Sequence, residues 1–267
     1  PPDLVIESDS SKLGWGCVCN GVSTGGDWDL FEQTEHINFL ELKAAFLALE
    51  IFGKSQDVAH IRLMLDNTTA IACINKSGTT KPKLLKLTKE IFAWALERQV
   101  HISAAHIAGV DNVRADKESR THNPDIEWKM FPDVFGLICK EFGTPDIDMF
   151  ASRLNHQLPC YVSWRPDPSA FAIDAFKQSW CEKLIYLFPP FSLIGTCLQK
   201  IQTDSAEVVL VAPTWPTKPW YPLLNHLSLQ PPLTLPMRCL HLPQRAKKQN
   251  LKLRLKAWRL SGKPTPH

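Results

Sequence analysis

The sequence predicts an α/β protein, a mixed sheet with flanking helices followed by a smaller α/β unit. Short apolar runs of strand length alternate with longer segments of helical period. The Asn20-Gly21 pair between two such runs is a strong hairpin signal, so the first strands are antiparallel. The composition also shifts near residue 121: most glycines lie before it, most prolines and tryptophans after it. With 267 residues, 44% of them hydrophobic, the chain has material for two cores. The expected organisation is a domain over 1–121, a second over 122–243, and a basic tail or linker over 244–267.

Residues 4–9 read as a strand that ends on Ser8 and Asp9. A second strand covers 15–19 and a third is expected around 28–31. Residues 38–50 form a helix, because Leu42, Ala45, Phe46, Leu49 and Phe52 recur at helical spacing. A strand over 60–65 ends at Asp66, and a helix over 67–75 stops near Gly78. A long amphipathic helix over 83–99, a strand over 100–107 and a short helix over 112–120 complete the first domain. In the second domain, 134–142 and 192–201 read as helices and 184–188 and 207–212 as buried strands.

Four acids stand out. Asp9 and Asp66 end strands that, if adjacent and parallel, place two carboxylates at the crevice where open α/β sheets bind ligands. Glu41 lies on the first helix beside the small residues Ala44 and Ala48, and Asp116 lies on the last. Converging carboxylates repel and need cations between them, and hard oxygen ligands suit Mg²⁺ or Mn²⁺. Two such ions roughly 4 Å apart support phosphodiester hydrolysis. Each acid also has a plain structural alternative. Glu41 fits a capping box with Asn38, Asp9 a turn with Ser10 and Ser11, Asp66 a cap for the following helix, and Asp116 an i,i+4 pair with Arg120.

The helix text from Glu41 to Glu50 (ELKAAFLALE) and the segment from His106 to Arg120 (HIAGVDNVRADKESR) resemble the ribonuclease H domain, in the form carried by retroelement polymerases. The resemblance covers about residues 3–121. It implies a ribonuclease H-like fold, with Asp9, Glu41, Asp66 and Asp116 as catalytic metal ligands for two Mg²⁺ or Mn²⁺ ions. It further implies cleavage of the RNA strand of RNA–DNA hybrids. His106 stands where many members carry a His that helps protons or product leave; the alternative is a local hydrogen bond at a strand end. Ser10, Asn67 and Thr68 are candidates to meet 2′-hydroxyls, and Lys76, Lys81, Lys83 and Lys86 to meet phosphates, although lysines on such a face are commonly just solvated.

Beyond residue 122, the text Asp148-Met-Phe-Ala-Ser with Asn155, the turn Phe188-Pro-Pro-Phe191 and the run from Val211 to Pro216 are similar to the adenine-methyltransferase-like (Dam-like) region of DIRS-type, tyrosine-recombinase retrotransposons. That resemblance implies a polyprotein with a reverse transcriptase domain upstream. It does not carry the methyltransferase chemistry with it. The residue ahead of Pro-Pro-aromatic should accept hydrogen bonds from the amine, and Phe188 accepts none. No Gly-rich loop follows an early strand to hold S-adenosylmethionine. A degenerate fold kept for nucleic-acid or polymerase contacts is the expectation, with Phe191 packed in a core; the alternative is that Phe191 stacks on a base. The competing functions are a non-cleaving nucleic-acid-binding module and, third, an S-adenosylmethionine-dependent DNA adenine methyltransferase.

The net charge of +3 is mild, but Arg245, Lys247, Lys248, Lys252, Arg254, Lys256 and Arg259 crowd the C-terminal end. Eight cysteines without a C-x-x-C pair suit free thiols in a reducing, intracellular compartment, nucleus or cytoplasm. No apolar run has membrane-span length, so no membrane partner is expected. The start at Pro1-Pro2 suggests a piece of a longer chain.

Overall fold

A computed structural model describes residues 1–54, 57–121, 128–181, 183–241 and 253–263. The chain divides into two compact units: Pro1–His122 with Asp167–Ser169, and Asn123–Pro166 with Ala170–His267. No helix among the described residues is long and apolar enough to cross a membrane.

The first unit is a mixed α/β fold. Its strands are β1 (Leu4–Ser10), β2 (Gly14–Cys19), β3 (Val22–Asp27), β4 (His60–Leu65) and β5 (His101–His106), in the order β3-β2-β1-β4-β5. The first three pair antiparallel, whereas β1, β4 and β5 run parallel. The helices are α1 (Ile37–Phe52), α2 (Thr68–Asn75), α3 (Pro82–Glu97) and α4 (Val113–Arg120). Trp15, Cys17 and Cys19 of β2 join the core formed with Leu42, Ala45 and Leu49 of α1. The alternate positions, Gly14 and Gly16, point to the opposite face. There α4 lies so close that a Cβ on Gly16 would meet the Ala115 carbonyl at 2.2 Å. The glycines are what allow α4 to rest on the sheet.

The third strand departs from the sequence expectation of 28–31. Asn20 and Gly21 both take positive φ, 48° and 80°, in a two-residue turn, so pairing resumes at once with Cys19 opposite Val22. Trp28 instead follows the strand, and its indole N–H donates to the Ser11 carbonyl at 3.1 Å. Helix α1 also begins earlier than its apolar pattern suggests. Its N-cap is His36, whose ring nitrogen accepts from the Asn38 N–H at 3.1 Å. Glu41 is then the fifth helical residue and too far in for a capping box.

The second unit contains β6 (Lys129–Met130), α5 (Pro132–Phe142), β7 (Ile147–Asp148), β8 (Val162–Ser163), β9 (Ala172–Ile173), β10 (Leu184–Leu187), α6 (Ile194–Thr203), β11 (Glu207–Pro213), α7 (Tyr221–His226), β12 (Leu233–Thr234), β13 (Leu240–His241) and β14 (Leu255–Ser261). Its main sheet has the order β12-β14-β11-β10-β7, with β7, β10 and β11 parallel and β14 antiparallel to β11.

Strand β14 corrects the expected basic tail over 244–267. It pairs with β11 along its whole length, and Trp258 and Leu260 are buried in the core. The charges conceal a strand because they are neutralised at its sides: Arg259 contacts Glu207 at 2.6 Å and Lys263 contacts the same carboxylate at 2.8 Å. These two cations hold the Glu207 carboxyl below its ordinary range. Arg245, Lys247, Lys248 and Lys252 lie outside the described residues.

Candidate metal centre

Strand pairing assembles the site. The parallel register of β1 on β4 sets Glu7 opposite Met64, so two residues on Asp9 is level with Asp66. Glu41 comes from the second turn of α1, which packs on β1 and β2. One carboxylate oxygen from each of Asp9, Glu41 and Asp66 lies within 4.8 Å of the other two. Asp66 is available because the adjacent Asn67 caps α2 instead, accepting from the Ala70 N–H at 3.0 Å. Its other side is approached by the loop after β5, where a Cβ on Gly109 would sit 3.5 Å from an Asp66 oxygen.

Electrostatics sharpen the picture. Burial, reinforced by the charges of Asp9 and Asp66, pushes the Glu41 carboxyl up to about 9. A hydrogen bond from the Ser10 backbone N–H opposes this, but Glu41 Oε2 is buried without a protein partner. Burial also raises Asp9, with Asp66 and Asp116 adding to it and the Ser119 hydroxyl opposing it. Ser119 Oγ donates to Asp9 Oδ2 at 2.7 Å from inside α4. A buried acid with one oxygen unpartnered that faces two other acids is destabilising by itself and is relieved by a cation. The donor set consists of hard carboxylate oxygens and fits a divalent metal such as Mg²⁺ or Mn²⁺.

Asp116 is placed differently. It is near enough to raise Asp9, yet it lies outside the three-acid cluster and forms the expected pair with Arg120, at 2.6 and 2.8 Å. His106 is exposed at the end of β5, in register with Leu65 and hence one residue from Asp66. Among the other candidates, Ser10 is buried and its hydroxyl is engaged by the Ser11 carbonyl and the Trp28 indole. Asn67 donates to Asn38, and Asn38 to Thr69, while Thr68 is exposed. Lys83 pairs with Glu35 at 2.7 Å.

Two residues near the site escape a reading by sequence spacing. Ser119 is one. Asn112 is the other: fully buried, it donates to the Ser8 carbonyl at 3.0 Å and so ties the start of α4 to β1. An Asn just ahead of a helix signals an N-cap, but here its side chain makes no cap bond and serves tertiary docking.

No protein-family model and no curated protein matches the chain. Solved structures do. The chain is similar to the RNase H1 of the halophilic archaeon Halobacterium salinarum NRC-1, with 19% identity and a TM-score of 0.36 over 43% of this chain and 92% of that one. It is also similar to LC11-RNase H1 in complex with an RNA/DNA hybrid, with 17% identity and a TM-score of 0.38 over 43% and 92%. The N-terminal RNase H domain of rv2228c from Mycobacterium tuberculosis, solved as a fusion with maltose binding protein, gives 17% and 0.35 over 45% and 94%. These similar structures are all ribonucleases H.

Proposed function

We propose that the first unit is a metal-dependent endoribonuclease that cleaves the RNA strand of RNA–DNA hybrids. The observation that carries this reading is the convergence of Asp9, Glu41 and Asp66, with Glu41 Oε2 buried and unpartnered. Asp9, Glu41 and Asp66 would hold Mg²⁺ or Mn²⁺, with Asp116 completing a two-ion site once Arg120 releases it. Such ions supply an activated water and charge stabilisation at the leaving oxygen. The chain's own groups do the rest. Ser119 fixes the orientation of Asp9, and Asn112 fixes the helix that bears Asp116. His106, exposed at the end of β5 and in register with the residue before Asp66, would pass a proton to solvent as product leaves. The retroelement setting, with a reverse transcriptase upstream and a Dam-like second unit, rests on the resemblance in sequence.

The test is cleavage of a labelled hybrid with and without Mg²⁺, by the full chain and by Asp66→Asn. Metal-dependent products from the first and none from the second support the reading; equal rates reject it. One observation favours a second reading, a binding module that does not cut: Asp116 is already satisfied by Arg120. That reading requires salt-sensitive hybrid binding with no turnover at any metal concentration.

A further inference from the structure

The second unit contains a cavity of about 580 Å³. It opens where the residues after β7, β10 and β11 converge, the carboxyl ends of three parallel strands, where sheets of this kind take ligands. The turn Phe188-Pro-Pro-Phe191 packs against the buried core, as its composition suggests, and its half-buried rings also line this cavity. Phe191 meets Trp128 at 88° with centroids 5.6 Å apart, and Trp215 at 81° with 5.3 Å. Phe150 and Phe176, also lining residues, cross at 68°. These half-buried rings stand at steep angles to one another. A base can stack on a single open ring face, whereas a box of crossed rings presents π-faces and edges around a rounded group as well.

Charge narrows the choice of guest. Among the described residues that line the cavity none is Lys or Arg, and Asp174 is the one ionisable group. Asp174 is held at φ 65°, a backbone state a non-glycine residue adopts only when its surroundings enforce it. Its Oδ1 accepts from the Phe176 N–H at 3.1 Å, which fixes the carboxylate at the wall. Its other oxygen has only a long contact of 3.5 Å to Lys177, an exposed side chain. Among the described residues the nearest cations are Arg165 over the Trp164 ring, Lys218 over the Trp215 ring and Lys177 beside Asp174. They lie behind the lining rather than in it, so the cavity itself offers π-faces and a carboxylate to an apolar cation.

We infer that the aromatic cavity of the second unit is a binding site for a methylated ammonium head carried on a longer chain. The volume exceeds what a bare tetramethylammonium ion fills and leaves room for the attached chain. Two sources share this chemistry, a free choline-type amine and a trimethylated lysine in a peptide.

The experiment titrates the full chain and follows tryptophan fluorescence, which Trp128 and Trp215 report, and calorimetric heat. The probes are choline, its neutral isostere 3,3-dimethylbutan-1-ol, a trimethyllysine peptide, the same peptide with unmodified lysine, and adenosine. The expected result is that choline or the trimethyllysine peptide binds at least about tenfold more tightly than its isostere or unmodified partner; whichever of the two binds more tightly names the source. Asp174→Asn, which tolerates the same backbone state, weakens binding severalfold, and Phe191→Leu removes the preference over the neutral probe. Equal binding of cation and isostere, no binding of either cation, or binding of adenosine alone overturns the assignment. Hybrid cleavage stays at the wild-type rate in both variants, which separates this test from that of the nuclease.

Discussion

Two buried acids, one in each unit, show how a satisfied carboxylate differs from one left facing other acids. Asp148 is completely buried, yet both its oxygens are satisfied, by the Phe150 N–H at 3.3 Å and the Gln157 N–H at 3.0 Å. Lys129 adds a favourable charge. Burial still pushes its carboxyl up, but only to about 6. Glu41 is no more deeply buried, yet it lacks a partner for Oε2, faces Asp9 and Asp66, and rises to about 9. Depth alone therefore says little about role. What separates the two is whether the fold supplies donors or leaves like charges facing one another.

The largest expected effect breaks the comparison outright. Glu41→Gln or Asp66→Asn lowers Mg²⁺-dependent hybrid cleavage by at least about a hundredfold, because loss of a ligand exceeds the usual effect of losing a group behind one. Asp148→Asn leaves the cleavage rate unchanged. It lowers thermal stability, since its amide NH₂ would oppose one of two backbone N–H donors, by about 1–3 kcal/mol. Rates of cleavage and melting curves of the three variants check both halves. If Asp148→Asn abolished cleavage, or Glu41→Gln preserved it, the distinction would fail.

A smaller effect belongs to Ser119. It holds Asp9 through a 2.7 Å bond, and removing such a supporting group weakens metal affinity by about tenfold or somewhat more. Ser119→Ala should raise the half-saturating Mg²⁺ concentration in the cleavage assay, with the rate at saturating metal largely kept. Ser119→Thr, which retains the hydroxyl, should recover part of the loss. An unchanged Mg²⁺ requirement would reduce Ser119 to a helix-packing residue.

pH dependence sharpens the contrast further. Both acids are raised above their unfolded values, so the folded state holds a proton that the unfolded state has lost. Stability is therefore greatest below the unfolded value and is lost as pH rises through the folded one. For Asp148 that window runs from 3.8 to about 6, and for Glu41 from 4.5 to about 9. Metal-free protein should lose stability steadily with rising pH. Glu41→Gln should reduce the slope from about pH 4.5 and flatten it above pH 6, whereas Asp148→Asn should reduce it only below pH 6. Added Mg²⁺ should restore stability more at pH 8 than at pH 6, because binding displaces the Glu41 proton. Denaturant melts across pH would show whether the slopes separate this way.

The legible parts of the fold were those with local causes. Asn20-Gly21 announced its hairpin, and the period of 38–50 announced α1. The strand ends at Asp9 and Asp66 placed two acids at one sheet edge. The illegible parts depend on partners distant in sequence. Val22–Asp27 contains Gly25 and Gly26 and reads poorly as a strand; at Gly25 a Cβ would strike the Trp15 carbonyl at 2.4 Å and crowd α4. Leu255–Ser261 reads as a charged tail until Glu207, some fifty residues earlier, neutralises Arg259. The hydroxyl of Ser119 gains its meaning only from Asp9, 110 residues away. The same holds for Asp174, whose place at an aromatic wall has no signature in the local text.

The smallest expected effect concerns Asp116, which fits neither category cleanly. Unlike Asp148 it is half-exposed, and unlike Glu41 its charge is already answered by Arg120 at 2.6 Å. Exposed ion pairs contribute about 0.2–1 kcal/mol, so Arg120 can hold Asp116 back from a metal by at most about fivefold. If Arg120 competes with metal, Arg120→Ala lowers the half-saturating Mg²⁺ concentration by that factor and leaves the KM for hybrid unchanged. If Arg120 instead meets a substrate phosphate, KM rises, most at low salt and less as salt increases, and the Mg²⁺ requirement stays put. Titrating metal and hybrid separately distinguishes the two. The first outcome makes Asp116 a ligand kept in reserve by its own helix; the second leaves Asp9, Glu41 and Asp66 as the whole of the ion-binding set.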